Sequence, residues 1–276
     1  MTPTVVAARA VMTRELRVQY RYPVSMINLV LLTPLYEMVI PTLLLGAAFL
    51  VNGSATGLAR SVGTDDLVGW VSVGLLVATL MVGAVRGVAG PLESDRSTGV
   101  LEHNWSVPVS REVFVMGGVA AGTVFTAVAS MLLVAFGVVA LGASFSPHGV
   151  LLALPVVVLL LVGNCGFGYL AAALALTMRR PDDLLGPVTP LVAAFSGVAF
   201  PLTVLPEAVR WVTYLLPGTM PLDLMRHVTL GTDTLLPPGV ELAVAMVTAA
   251  GWLLLGRRLF LRAERRVQGT GALNQF

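Results

Sequence analysis

Lysine is absent from these 276 residues, and every one of the 17 basic side chains is arginine. A phosphate-cradling GxxxxGK[ST] loop sets its lysine against the phosphates, so the chain has no orthodox Walker A site and is not an ordinary P-loop ATPase by itself. Cysteine occurs once, as Cys165 within an apolar run, which excludes an internal disulfide framework and a CxxC redox or metal motif. His103, His148 and His227 are far apart in sequence and form no HExxH or i, i+4 pair, so no metal site is expected. No aspartate falls clearly inside an apolar run and no serine has a GxSxG setting, which leaves intramembrane proteolysis without a nucleophile and the chain without an assignable catalytic residue. Charge is also scarce, at 12% of residues, where a soluble domain carries roughly a quarter. The net charge of +2 is too small to indicate nucleic acid as a partner.

What is present is apolar: 56% of the chain is hydrophobic. Several runs approach or exceed the ~20 residues with which a helix crosses about 30 Å of hydrocarbon. The expected fold is therefore all-α and integral to a membrane. Six spans are placed at Leu29 to Val51, Leu67 to Ala89, Val113 to Gly142, Val150 to Met178, Leu184 to Phe200, and Gly239 to Phe260. Before them, Arg9, Arg14, Glu15, Arg17 and Arg21 interrupt any apolar core, so no cleaved signal peptide is expected. On a helix, Arg14, Arg17 and Arg21 share one face while Met12, Leu16 and Tyr20 share the opposite one, predicting an interfacial helix within residues 1–28. With the N-terminus cytoplasmic, 14 arginines fall inside and only Arg60, Arg210 and Arg226 outside, which predicts both termini in the cytoplasm and a cytoplasmic tail over 261–276.

That topology puts the most charged stretch, PLESDRSTGVLEHNWSVPVSRE (91–112), in the first cytoplasmic loop. A short helix from Pro91 to Arg96 is expected to offer Glu93, Asp95 and Arg96 to a partner surface, ending at Gly99 in a left-handed cap. Outside, 201–231 is too interrupted by proline to span and too apolar to float in water. Two short helices are predicted in or dipping into the outer leaflet, with Pro206 and Pro221 in their first turns and Trp211 and Tyr214 at headgroup depth. Glu37, between Pro34 and Pro41, is an ionisable group within a span and requires a partner, a cavity or a subunit seam. Gly163, Gly166 and Gly168 read as close helix packing, and Asn164 and Tyr169 as bonds to a neighbouring helix.

Two motifs resemble the permease subunits of ABC-2 type transporters. One is an acidic helix with Glu93 and Asp95, then Gly99-Val-Leu101-Glu102, then Pro108-Val-Ser110-Arg111. The other is the fifth-span and outer-loop signature Gly197, Phe200, Pro201, Leu205, Pro206, Pro217, Asp223 and Arg226, with Gly218 where a bulkier residue is expected. The resemblance covers essentially the whole chain. It implies a type V ABC exporter-like fold in the inner (plasma) membrane: six spans, the interfacial helix, a coupling helix and short extracellular re-entrant helices. It further implies two permease chains, the second a copy or a relative, above separate ATPase subunits that hold Mg-ATP. The chain itself would need no cofactor. Glu93, Asp95, Arg96, Gly99, Leu101 and Glu102 would couple to the ATPase, and Arg14, Arg17 and Arg21 would touch that ATPase or anionic lipid. Glu37 would line a substrate path along the seam, with Phe195, Val198 and Phe200 as its upper gate, for an amphipathic drug, antibiotic or lipid-like compound. Two other functions stand beside this one: a secondary transporter driven by an ion gradient, which calls for more intramembrane acids and an inverted repeat, and a non-transporting assembly or immunity protein.

Overall fold

A computed structural model describes residues 3–33, 35–36, 39–40, 56–97, 99, 111–178 and 182–270. Within them the elements are α1 (Pro3–Tyr20), α2 (Pro23–Ile27) running into a π-helical turn (Asn28–Leu32), α3 (Thr56–Val62), α4 (Leu67–Ser97), α5 (Arg111–Leu141), α6 (Pro147–Thr177), α7 (Asp182–Phe195), a 3₁₀ turn (Leu202–Val204), α8 (Glu207–Thr213), α9 (Thr219–Leu230) and α10 (Pro238–Thr270). No strand occurs among the described residues. Helices α4, α5, α6 and α10 are long and apolar enough to cross a membrane. They match the second, third, fourth and sixth expected spans. The first expected span lies largely outside the described residues.

The fifth differs from expectation. Helix α7 has 14 residues, with Pro187 and Pro190 inside it. At 1.5 Å per residue it rises about 21 Å, short of the hydrocarbon thickness. It ends at Phe195, and Gly197 at φ +93° turns the chain away, so Val198 and Phe200 lie beyond the helix.

Packing follows from where small residues fall. In the window that identifies α4 as a span, 67% of residues are buried, against 22% in α5 and in α10, which makes α4 the central helix. It rests on α5 and α6, while α10 lies along α6. A methyl group on Gly118 would overlap the Gly87 carbonyl, and one on Gly256 would overlap the Gly166 carbonyl. The α4–α5 and α6–α10 pairs therefore meet backbone to backbone, as small residues permit in membranes. Gly166 and Gly168 of α6 are indeed contact points, facing Trp252 and Val88 respectively. Asn164 is buried, but its Nδ2 donates to Leu160 O at 2.8 Å in its own helix, where a bond to a neighbouring helix was expected. Tyr169 packs on the ring of Phe260, centroids 5.6 Å apart.

The core has two levels. Val77, Leu80, Leu160, Met220 and Leu222 form one; Val88, Phe167, Leu176, Phe260 and Val267 form the other, toward the arginine-rich end. Met220 and Leu222 belong to α9, which is inserted against α4, α6 and α10 rather than lying on the surface. Tyr214 is likewise buried, whereas Trp211 on α8 is exposed, so only Trp211 has the expected headgroup-like exposure. Gly218 is small because a side chain there would strike Met81 and Ser196.

Candidate functional site

At the arginine-rich end, the charged segment after the second span is not a separate helix. Helix α4 runs without a break through Pro91 to Ser97. Pro91 has no N–H for the carbonyl four residues back, and its ring sits against Gly118 of α5. The end is closed by Gly99 at φ +71°, whose N–H donates to Arg96 O at 3.1 Å. A non-glycine residue reaches that conformation only with strain.

Asp95 and Arg96 do not simply project outward, contrary to the expectation of a partner-facing surface. Asp95 is 6% exposed, and Arg14 Nη2 of α1 donates to its Oδ1 at 2.6 Å. Arg14 Nε also donates to Glu15 at 3.1 Å. Burial raises the Glu15 carboxyl above its ordinary pKa; Arg14 opposes the shift and Asp95 adds to it. Arg96 donates to Met178 O at 2.7 Å and to Ala175 O, satisfying carbonyls that the end of α6 leaves unpaired. Glu93 is half-buried and Ser94 exposed. Close by, Arg257 of α10 pairs with Glu112 in the first turn of α5 at 2.8 Å. Leu101, Glu102 and the Pro108 to Ser110 part of the motif lie outside the described residues, as does Glu37.

The opposite end holds a second cluster. Helix α9 places Asp223 and Arg226 three residues apart, on one face. Arg226 is 4% exposed, and its guanidinium lies 3.6 Å from the centroid of the Trp70 ring. It donates to Gly197 O at 2.8 Å, Trp70 O at 3.3 Å and Val198 O at 3.4 Å. Burial lowers its pKa to about 9, with Asp223 opposing. Asp223 accepts the Leu235 N–H at 2.8 Å. Burial raises the Asp223 pKa, against the pull of Leu235, Glu241, Arg226 and His227. A cavity of about 160 Å³ lies here, lined by Trp70, Ser196, Arg210, Asp223, Arg226 and Thr232 among others, with room for several waters.

Sequence reasoning missed Glu241. It is fully buried in the first turn of α10, where its carboxyl group meets the side chain of Asp223. The only signal was an acid at a helix start, which the helix dipole makes commonplace.

The structure thus joins Asp95 and Arg96 to Arg14 and to α6, and Asp223 and Arg226 to Trp70 and the turn containing Val198. Phe195 is 40% exposed at the end of α7. Arg17 and Arg21 are exposed on the same side of α1 as Tyr20, where Tyr20 was expected on the opposite face. None of the curated proteins matches the sequence. The model of the ABC-2 type transporter family matches residues 6–230, a stretch that includes both the α4 end and the Asp223/Arg226 cluster. Permeases of this family are transport components that work with ATPase subunits and in pairs. The chain belongs to the ABC-2 type transporter family and is a multi-pass membrane permease of an ABC transporter.

Proposed function

We propose that this permease serves an ATP-driven exporter of amphipathic or hydrophobic compounds such as a drug, an antibiotic or a lipid-like molecule. A second permease chain, identical or related, completes the translocation path. Separate ATPase subunits bind Mg-ATP and press on the α4 end from the cytoplasm of a cell whose inner membrane holds the complex, with both termini on that side. Glu37, Phe195, Val198 and Phe200 line the path.

The observation that carries this reading is the build of the α4 end. A charged segment held as one rigid helix with the central span, and tied by Asp95 to α1 and by Arg96 to α6, passes a push to the bundle instead of absorbing it. Glu93, Gly99, Leu101 and Glu102 complete the contact.

The test uses protein tagged at its C-terminus and extracted gently from native membranes. A P-loop ATPase is expected to co-purify and hydrolyse ATP. S94C, in a C165S background that removes the single native thiol, is expected to cross-link to that ATPase. If no ATPase appears under conditions that preserve a known permease complex, the reading fails and gradient-driven transport or passive assembly takes its place.

A further inference from the structure

The cavity beside Arg226 has walls from α3, α4, α8, α9, the turn after α7 and the 232–235 loop. Its volume of about 160 Å³ equals that of about five waters in the liquid, at about 30 Å³ each. The loop is fixed in place at both ends. Gly231, left-handed at φ +69°, ends α9 and turns Thr232 inward, and the Asp233 N–H donates to Val62 O of α3 at 3.0 Å. Arg226 Nε and Thr232 Oγ1 have no hydrogen-bond partner among the described residues, although these residues are 4% and 2% exposed. A guanidinium nitrogen only donates, so the deep end of the cavity lacks an acceptor. Other polar groups there are occupied: Ser196 Oγ donates to Val192 O, Thr219 Oγ1 donates to Thr213 O, and the Asp223 carboxyl meets the Leu235 N–H and Glu241. Nearer the mouth, half-buried Arg210 and exposed Asp233 border the same cavity, and neither forms an ion pair among the described residues.

From this arrangement we infer that the cavity binds a small free amino acid, its carboxylate inward to Arg226 Nε, Thr232 Oγ1 and Arg210 and its ammonium outward to Asp233. The charges select the class. A plain anion would face Asp223 and Asp233, and a plain cation would face Arg210 and Arg226, whereas a zwitterion sets each of its charges against the opposite one. Volume limits the ligand to a short side chain. The order of the charges excludes the ethanolamine head of a phospholipid, which enters ammonium first and would bring that charge to Arg226. A carboxylate gives the deep donors charge-assisted bonds, roughly twice as strong as the neutral ones that water offers. Arg226 also holds Gly197 O and Val198 O, so the bound carboxylate would join the group that fixes the turn after α7. Such a site needs neither the ATPase nor the translocation path, and it stands apart from the export reading.

The test is isothermal titration of the purified full-length chain in detergent, with melting temperature as a second readout. L-Alanine is expected to bind one to one and to raise the melting temperature with concentration. It should bind about tenfold more tightly than acetate or methylammonium, each of which forgoes one charge-assisted contact. R210Q should weaken alanine and acetate alike, about tenfold. D233N should weaken alanine about tenfold and leave acetate unchanged, a split that a merely structural role would not produce. T232V should weaken alanine about fivefold yet melt no lower than wild type, because it removes a buried hydroxyl without a partner. Should T232V not fold, R210Q and D233N, nearer the mouth, decide the matter. No saturable binding of alanine up to about 50 mM overturns the inference and leaves the cavity to water. Acetate binding as tightly as alanine overturns it in favour of an anion site, and tighter binding of glycerophosphoethanolamine in favour of a lipid head. Alanine binding untouched by all three substitutions also overturns it, because the ligand would then sit elsewhere. None of these outcomes bears on co-purification of the ATPase, so the two readings fail separately.

Discussion

Arg226 has almost no solvent to turn to, so its three carbonyl partners, the Trp70 face and the nearby Asp223 carboxyl are what make the charge tolerable. R226A is expected to destabilise the protein by about 3–5 kcal/mol, as the loss of one partner from a buried polar network does. R226K keeps the charge but loses the planar fork and should cost about 2 kcal/mol; thermal melting in detergent measures both. The Arg14–Asp95 pair is half in solvent on the arginine side, with 37% of that side chain exposed. D95N is therefore discounted to about 1–2 kcal/mol. Glu15 gives a pH dependence. Its folded pKa is raised, so the stability it contributes is present below its unfolded value near 4.5 and is lost as pH rises through the folded value. E15Q should match or exceed the wild-type melting temperature at pH 7.5, and the two should converge below pH 4.5. At this scale the sequence was only partly legible. The spacing of Asp223 and Arg226 was visible, but the partners of Arg226 are main-chain carbonyls up to 156 residues away, and a carbonyl leaves no trace in residue type.

Among the helices, four long apolar runs were readable because hydropathy alone marks them, and their cores fall where expected. Their ends were not. Hydropathy stops near Ala89, yet α4 continues to Ser97, because Leu92 to Arg96 are all compatible with a helix and Asp95 and Arg96 find partners on α1 and α6. Pro91 looked like a break. A proline forfeits one hydrogen bond, and here tight packing against Gly118 holds the helix through it. Helix α7 fell short for the converse reason: its apolar run reaches Phe200, but Gly197 turns the chain first. Burial of α9 was hidden because Pro221 and Arg226 suggested a surface segment. The backbone contact between α6 and α10 yields a further expectation. G256L would force the Gly166 carbonyl away and should cost at least 2–3 kcal/mol by overpacking, read as lost thermal stability and reduced extraction yield.

The whole molecule has two ends of different character. One gathers Arg14, Asp95, Arg96, Glu112, Arg257 and the end of α6. The other joins Asp66 to Ser144, and Ser146 to Thr229. With the arginine-rich end cytoplasmic, S94C in a C165S background should react with a membrane-impermeant maleimide only after permeabilisation, and S144C without it. The reverse pattern would invert the orientation. Because Arg96 closes the end of α6 and Asp95 closes on Arg14, the charged end of α4 is not a detachable module. A chimera that transplants residues 91–112 from another permease should assemble poorly unless the donor's counterparts of Arg14 and of residues 175–178 travel with it. Diversification of this segment is bound by the same constraint: Arg14, the end of α4 and the end of α6 lie in three distant stretches of the gene that must change in concert.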